Sequence, residues 1–308
     1  MSDLDLVRLI AGAALLAVAA VSDWRTRIVK DRLWIAMGTL GLALFATDLW
    51  FRRVDPVVGL VLVPTAVLMY DPLIGQEFWT DEGWRFPPSS IAAYALAIGA
   101  TAYATWDLQG DADGWETFLG YLTVPVMMLV FRGMYEAHIL KGGADAKAMI
   151  VIAAFVPQYP ELPFLPVLAL APLLQRALGL LFPFSLLVLL NAALLFAAVP
   201  LAFLAYNAKR GDVNFPMAFL GYKVPLDRMP RYVWFMDQFV EGEHVLVYFP
   251  KKRQDRKAIM KELRAGGLKE AWVTPQLPFM IPLAMGYVLA FVVGNPLMAL
   301  FQAFLPAR

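Results

Sequence analysis

The chain has no cysteine. Disulfide staples, thiolate-held zinc, iron–sulfur clusters and cysteine nucleophiles are therefore excluded, while the redox compartment stays open. Histidine is almost as scarce: His138 and His244 are the only two, distant in sequence and without ligand spacing, so no metal site is expected. Charged residues make up 17% of the 308, well short of the roughly one quarter usual in soluble domains. A formal net charge of +1 offers no general attraction for nucleic acid, and no such partner is expected. Internal repeats and low-complexity tracts are missing too. Chemistry falls to oxygen and amine groups, acting without a cofactor.

What is abundant is apolar: hydrophobic residues reach 60% and mean hydropathy is +0.61. One core inside one water-facing surface does not use that much, so the chain reads as an α-helical polytopic membrane protein. A span needs about 20 mostly apolar residues. Stretches at 4–21, 33–50, 56–70, 89–106, 118–132, 145–157, 184–206 and 278–304 qualify or nearly qualify, giving about eight transmembrane helices. The first has no basic leader before it and reads as a retained helix rather than a cleaved signal. Residues 161–183 are apolar but carry Pro163, Pro166, Pro172 and Gln175-Arg176. Proline's missing donor disfavours a straight lipid-exposed helix there, so a re-entrant or interfacial segment is expected. Four basic side chains in DWRTRIVKDR, residues 23–32, place that end of the first helix in the cytoplasm.

Residues 207–274 hold 13 Lys/Arg and 8 Asp/Glu, a local net charge of +5. The expected organisation is a transmembrane catalytic domain over 1–206, a small α+β cytoplasmic insert over 207–275, and a last transmembrane helix over 276–308. Within the insert, HVLVYF (244–249) and EAWVT (270–274) read as strands flanking the amphipathic QDRKAIMKELRA, a βαβ-like unit. Its charges form a solvated face beside anionic lipid, or guide a substrate. The acidic loops 71–82 and 107–116 are the other polar stretches. Counted as a calcium loop from Gln109, the second puts Gly120 where a bidentate Glu must stand, so a polar turn is expected.

Carboxylates at the edge of a span are costly and mark candidate sites. Asp23 closes the cytoplasmic end of the first helix, and Asp145 opens another in HILKGGADAK. Four spans separate them, an even number, so both return to the same side of the bilayer. Two carboxylates within about 4–6 Å share a proton near neutral pH, because repulsion keeps both from ionising. That state supports aspartic proteolysis: the ionised member takes a proton from water attacking a peptide carbonyl, while the neutral member donates to the carbonyl oxygen. Gly142 and Gly143 allow close approach of an extended substrate. Blander readings stand beside these: a helix-start turn for the glycines, an N-cap for Asp145, and pairing with Arg25 or Arg27 for Asp23.

Asp23 followed by DWRTRIVKDRLW, and Gly142-Gly143-Ala144-Asp145-Ala146-Lys147-Ala148, resemble the archaeal preflagellin and prepilin peptidases, GxGD-type aspartic proteases related to the bacterial type IV prepilin peptidases. YKVPLDRMPRYVW and EAWVTPQLPFMIPLAMGYVLAFVVGNPL are similar to the tail of the archaeal branch. The resemblance implies that Asp23 and Asp145 are catalytic. It also implies that the substrate is an archaellin or type IV pilin-like precursor, cut on the cytoplasmic side just after its short basic leader. The enzyme is then a multi-pass protein of the cytoplasmic membrane, in contact with lipid. Lys141 and Lys147 flank the pair; they tune it or hold a substrate carbonyl, or else snorkel to lipid phosphates. The interval from Asp23 to Asp145 is longer than usual, with an inserted pair of spans expected around 71–117. Two alternatives remain: a presenilin-like intramembrane protease, although here Ser22 rather than tyrosine precedes the first aspartate, and a proton-coupled transporter.

Overall fold

The computed structural model describes residues 2–74, 79–80, 83–84, 87–140, 142–168, 170–171, 179–240, 242–248, 250 and 254–304. Lys141 lies outside them, as do parts of the acidic loop 71–82 and of the proline-rich segment 161–183. Two compact units are present, one of Met1–Ala193 with Phe279–Arg308 and one of Leu194–Pro278.

The first unit is helical. Helix α1 (Ser2–Thr26) carries Asp3 and Asp5 in its first turn and Arg25 in its last, which complements the helix dipole. It is followed by α2 (Asp31–Phe51), a 3₁₀ turn leading into α3 (Leu62–Ile74), a two-residue hairpin of β1 (Trp79–Thr80) and β2 (Gly83–Trp84), and α4 (Pro88–Asp107). Then come α5 (Ala112–Glu136), α6 (Gly143–Phe155) and α7 (Phe184–Ala197). Beyond Asp145 and Lys147 near its start, helix α6 is apolar on every side, and Ala148 to Phe155 are all buried. A helix without a polar face belongs in the middle of a bundle, and α6 packs against both α2 and α5.

That packing depends on Gly41 of α2, where a Cβ would stand 2.9 Å from the Phe155 Cα. Gly41→Val is therefore expected to force α2 and α6 apart and cost about 1–3 kcal/mol. Gly59→Val, where a Cβ meets nothing within 4 Å, is the matched control. Thermal unfolding of the detergent-solubilised protein distinguishes the two, and equal midpoints would refute the packing assignment.

The eight expected spans are matched in part. Among the described residues four helices are long and apolar enough to cross a bilayer, over 3–26, 31–51, 112–136 and 184–210. A fifth is formed if the bent pair α11 (Met280–Val292) and α12 (Pro296–Phe304) counts as one. The expected single span 278–304 is thus two helices meeting at 55°. Asn295 is responsible in part: its Oδ1 accepts the Met298 N–H at 3.0 Å and starts α12, just before Pro296. Helices α3 and α6 have 13 residues each, about 20 Å of rise against a core of about 30 Å. In α4, serine, threonine and tyrosine dilute the apolar residues. Of the pair of spans expected around 71–117, one complete helix, α4, lies in that interval. The described residues of 161–168 contain no helix, as their prolines require.

In the second unit, α8 (Val199–Arg210) continues from α7 and stops at Gly211, whose φ is +77°. A short helix α9 (Met217–Leu220) precedes a three-stranded sheet of β3 (Tyr222–Pro225), β7 (Glu270–Pro275) and β4 (Val233–Phe235), in that order. A separate hairpin pairs β5 (Asp237–Val240) with β6 (Glu243–Leu246). Helix α10 (Arg256–Ala265) is capped by Asp255 and buries Leu263 among Val224, Val233, Phe235 and Val273. The mixed composition is as expected, but the βαβ-like arrangement is not. Every pairing is antiparallel, and the strand within 244–249 pairs with 237–240 rather than joining the sheet of 270–275. The sequence pattern located the strands; their partners lie in stretches too short to stand out by alternation.

Candidate active site

Asp23 projects from the last turn of α1 and is half-buried. Its neighbours are the Arg27 guanidinium and the backbone N–H of Met280, the first residue of α11. The chain then leaves α1 through a tight turn. Arg27 takes a left-handed φ of +59°, and Ser22 Oγ and Thr26 Oγ1 both donate to the Ile28 carbonyl, at 2.7 and 3.0 Å.

Asp145 is the third residue of α6, and the N-cap is Gly142, so the blander reading of Asp145 as an N-cap is not what the structure gives. Its carboxyl group folds back over Gly142, and a Cβ built on that glycine would collide with Asp145 Oδ2. Gly143 is different: a Cβ there would make only an ordinary 3.5 Å contact with the Tyr135 hydroxyl oxygen. The two glycines that look alike in sequence thus have separate reasons, and only Gly142 clears space for the carboxylate.

The two aspartates, distant in the chain, are brought within electrostatic reach of one another. Helices α1 and α6 are in contact. Lys147 goes elsewhere. Its ammonium donates to Asp31 Oδ1 at 2.6 Å. His138 is exposed, with Nδ1 2.8 Å from the Glu136 carbonyl. Asp111 accepts the Asp113 N–H as N-cap of α5, the polar turn expected in place of a calcium loop.

Two sets of polar residues escaped the sequence reading. Asp31 is one. The other is a buried cluster at the far end of α1, roughly 22 to 27 Å along the helix from Asp23. There Arg8 holds Asp5 Oδ1 at 2.8 Å and Asp48 Oδ2 at 3.3 Å, Arg52 holds Asp48 Oδ1 at 2.9 Å, and the Tyr287 hydroxyl donates to the Arg8 carbonyl at 2.7 Å. A signal was present in the i,i+3 spacing of Asp5 and Arg8 and the i,i+4 spacing of Asp48 and Arg52. A further ion pair, Arg132 with Asp71, joins α5 to α3; Asp71 therefore ends a helix rather than opening an acidic loop.

Residues 213–295 match the family described as Archaeal Peptidase A24 C-terminus Type II. The chain is 22% identical over 295 residues to a preflagellin peptidase of Methanococcus maripaludis, covering 94% of this chain and 96% of that one. It is 23% identical over 184 residues to a preflagellin peptidase of Methanocaldococcus jannaschii, covering 58% and 73%. An uncharacterized protein of the latter organism is 22% identical over 285 residues, covering 90% and 89%.

Proposed function

We propose that this chain, a relative of the archaeal preflagellin peptidases, is a membrane aspartic endopeptidase that removes the short basic leader from archaellin or type IV pilin-like precursors. The observation that carries the reading is the approach of Asp23 to Asp145 at one end of the bundle. The similarity to preflagellin peptidases along nearly the whole chain supports the substrate class. The basic segment after α1 supports a cytoplasmic orientation for that end.

In this reading the pair shares one proton, since two carboxylates at short range do not both ionise. The ionised member removes a proton from water as the water oxygen adds to the scissile carbonyl carbon, and the neutral member donates its proton to the carbonyl oxygen. The tetrahedral intermediate then collapses with cleavage of the C–N bond: the leaving amine takes up the proton held by the pair, and the carboxylate of the pair takes the proton of one hydroxyl of the intermediate, which restores the shared proton. Neither carboxylate is assigned as the base, because a coupled pair titrates as a unit.

The test is cleavage of a pilin-like precursor in membranes, with the new N-terminus sequenced. A cut just after the basic leader supports the reading; a cut within the transmembrane helix of a generic substrate points to the presenilin-like alternative. Gly142→Ala provides a finer check. Displacing the Asp145 carboxylate by about 1 Å is expected to reduce turnover about 10²-fold, whereas Gly143→Ala, against an ordinary contact, is expected to change it by less than about threefold. Equal effects at both positions would overturn the role given to Gly142.

A further inference from the structure

Lys147 stands two residues beyond Asp145 on α6, so the two side chains leave the helix on different faces. A cation in the opening turns of a helix also sits against the positive end of the dipole. Its partner is Asp31, the first residue of α2, at 2.6 Å. Asp31 ends the turn that begins at Asp23. That turn is held internally by the Ser22 and Thr26 hydroxyls on the Ile28 carbonyl and by burial of Val29. Bonded and packed groups therefore run without a break from Asp23 through the turn to Asp31, across the ion pair to Lys147, and back one half-turn of helix to Asp145.

We propose that the Asp31–Lys147 ion pair is a strut that fixes the separation of Asp23 and Asp145, which makes Asp31 and Lys147 positioning residues. The assignment rests on the reading of the two aspartates as the catalytic pair. Separation matters because the repulsion that keeps a single proton on two carboxylates falls with distance. Half-exposed ion pairs of this kind contribute little to stability, so the fold is expected to survive loss of the strut. Among the described residues, the groups that face the pair include Arg27 and the Met280 N–H beside Asp23, and Tyr135 of α5 beside Gly143.

The experiment uses the full-length protein in membranes, with Asp31→Asn, Lys147→Met and the exchanged pair Asp31→Lys with Lys147→Asp. One readout is the pH profile of leader removal from a pilin-like precursor. The other is the pH titration of the protonated-carboxyl infrared band that disappears in Asp145→Asn, which needs no substrate. Each single variant is expected to lower turnover about tenfold at unchanged KM and to displace both the profile and the infrared midpoint, and the exchanged pair to recover most of both. Profiles and midpoints superimposable on the wild type, whatever the yield of folded protein, would overturn the strut, as would an exchanged pair no better than the singles. Failure of the underlying reading shows differently: Asp23→Asn and Asp145→Asn would then process precursor normally, while the infrared midpoints would still report on the strut.

Discussion

Asp23→Asn and Asp145→Asn are each expected to lower leader removal by about 10²–10⁴-fold or more, the range for loss of a positioned general acid or base. Both changes are nearly isosteric. In Asp23→Asn the new amide oxygen can still face the Met280 N–H, and in Asp145→Asn the amide still fits over Gly142, so neither variant opens a cavity or adds a clash. Expression and thermal midpoint should accordingly stay close to those of the wild type. Because both carboxylates serve one proton inventory, the double variant should be little worse than either single one, as for other groups that act as a unit. The measurement is cleavage of a pilin-like precursor by equal amounts of folded enzyme, followed to low extents of turnover. Normal processing by either pure single variant would remove the aspartic assignment. Additive losses in the double variant would mean that the two groups act in separate steps.

The candidate site was legible in the sequence because its determinants are local and of unusual chemistry. Asp23 interrupts the end of an apolar run, and Asp145 follows two glycines; each is conspicuous where carboxylates are expensive. An even number of helices between them, α2 to α5, suits their approach at one end of the bundle. What a single sequence withheld is mostly pairing. Lys147 looked free to serve the aspartates because it lies close to Asp145 in sequence, but helix geometry turns it away and its partner lies on another helix. Not every expected span is matched by a long helix among the described residues, because hydropathy registers apolarity and not helix length: α6 is apolar enough to cross yet has 13 residues and is buried against α2 and α5. The bend between α11 and α12 hid for a similar reason, since Asn295 and Pro296 barely lower the average of a long apolar window. In the second unit, strands of three or four residues leave almost no alternation to detect, so the sequence pattern does not carry the sheet order.

Arg8→Met is expected to be the most damaging substitution for stability, at about 3–5 kcal/mol, because it leaves buried carboxylates without their cation. Arg8, Asp5 and Asp48 have side chains only 2–4% exposed. The single guanidinium reaches Asp5, Asp48 and the Leu44 carbonyl, and so ties α1 to α2. Asp5 in turn accepts the Glu161 N–H, which anchors the start of the proline-rich segment. Arg8→Lys should fall between, since one ammonium cannot span two carboxylates as a planar fork does. Neutralising the partners along with the arginine, in Asp5→Asn with Arg8→Met and Asp48→Asn, should recover a large part of the loss, because the penalty is an unpaired charge and not the absence of a pair. Thermal unfolding in detergent or nanodiscs measures each step. Since the cluster lies roughly 22 to 27 Å along α1 from Asp23, precursor cleavage per folded molecule should be unchanged across the series. A midpoint for Arg8→Met within a degree or two of the wild type would show that the cluster is solvated in the membrane and does not hold α1 to α2.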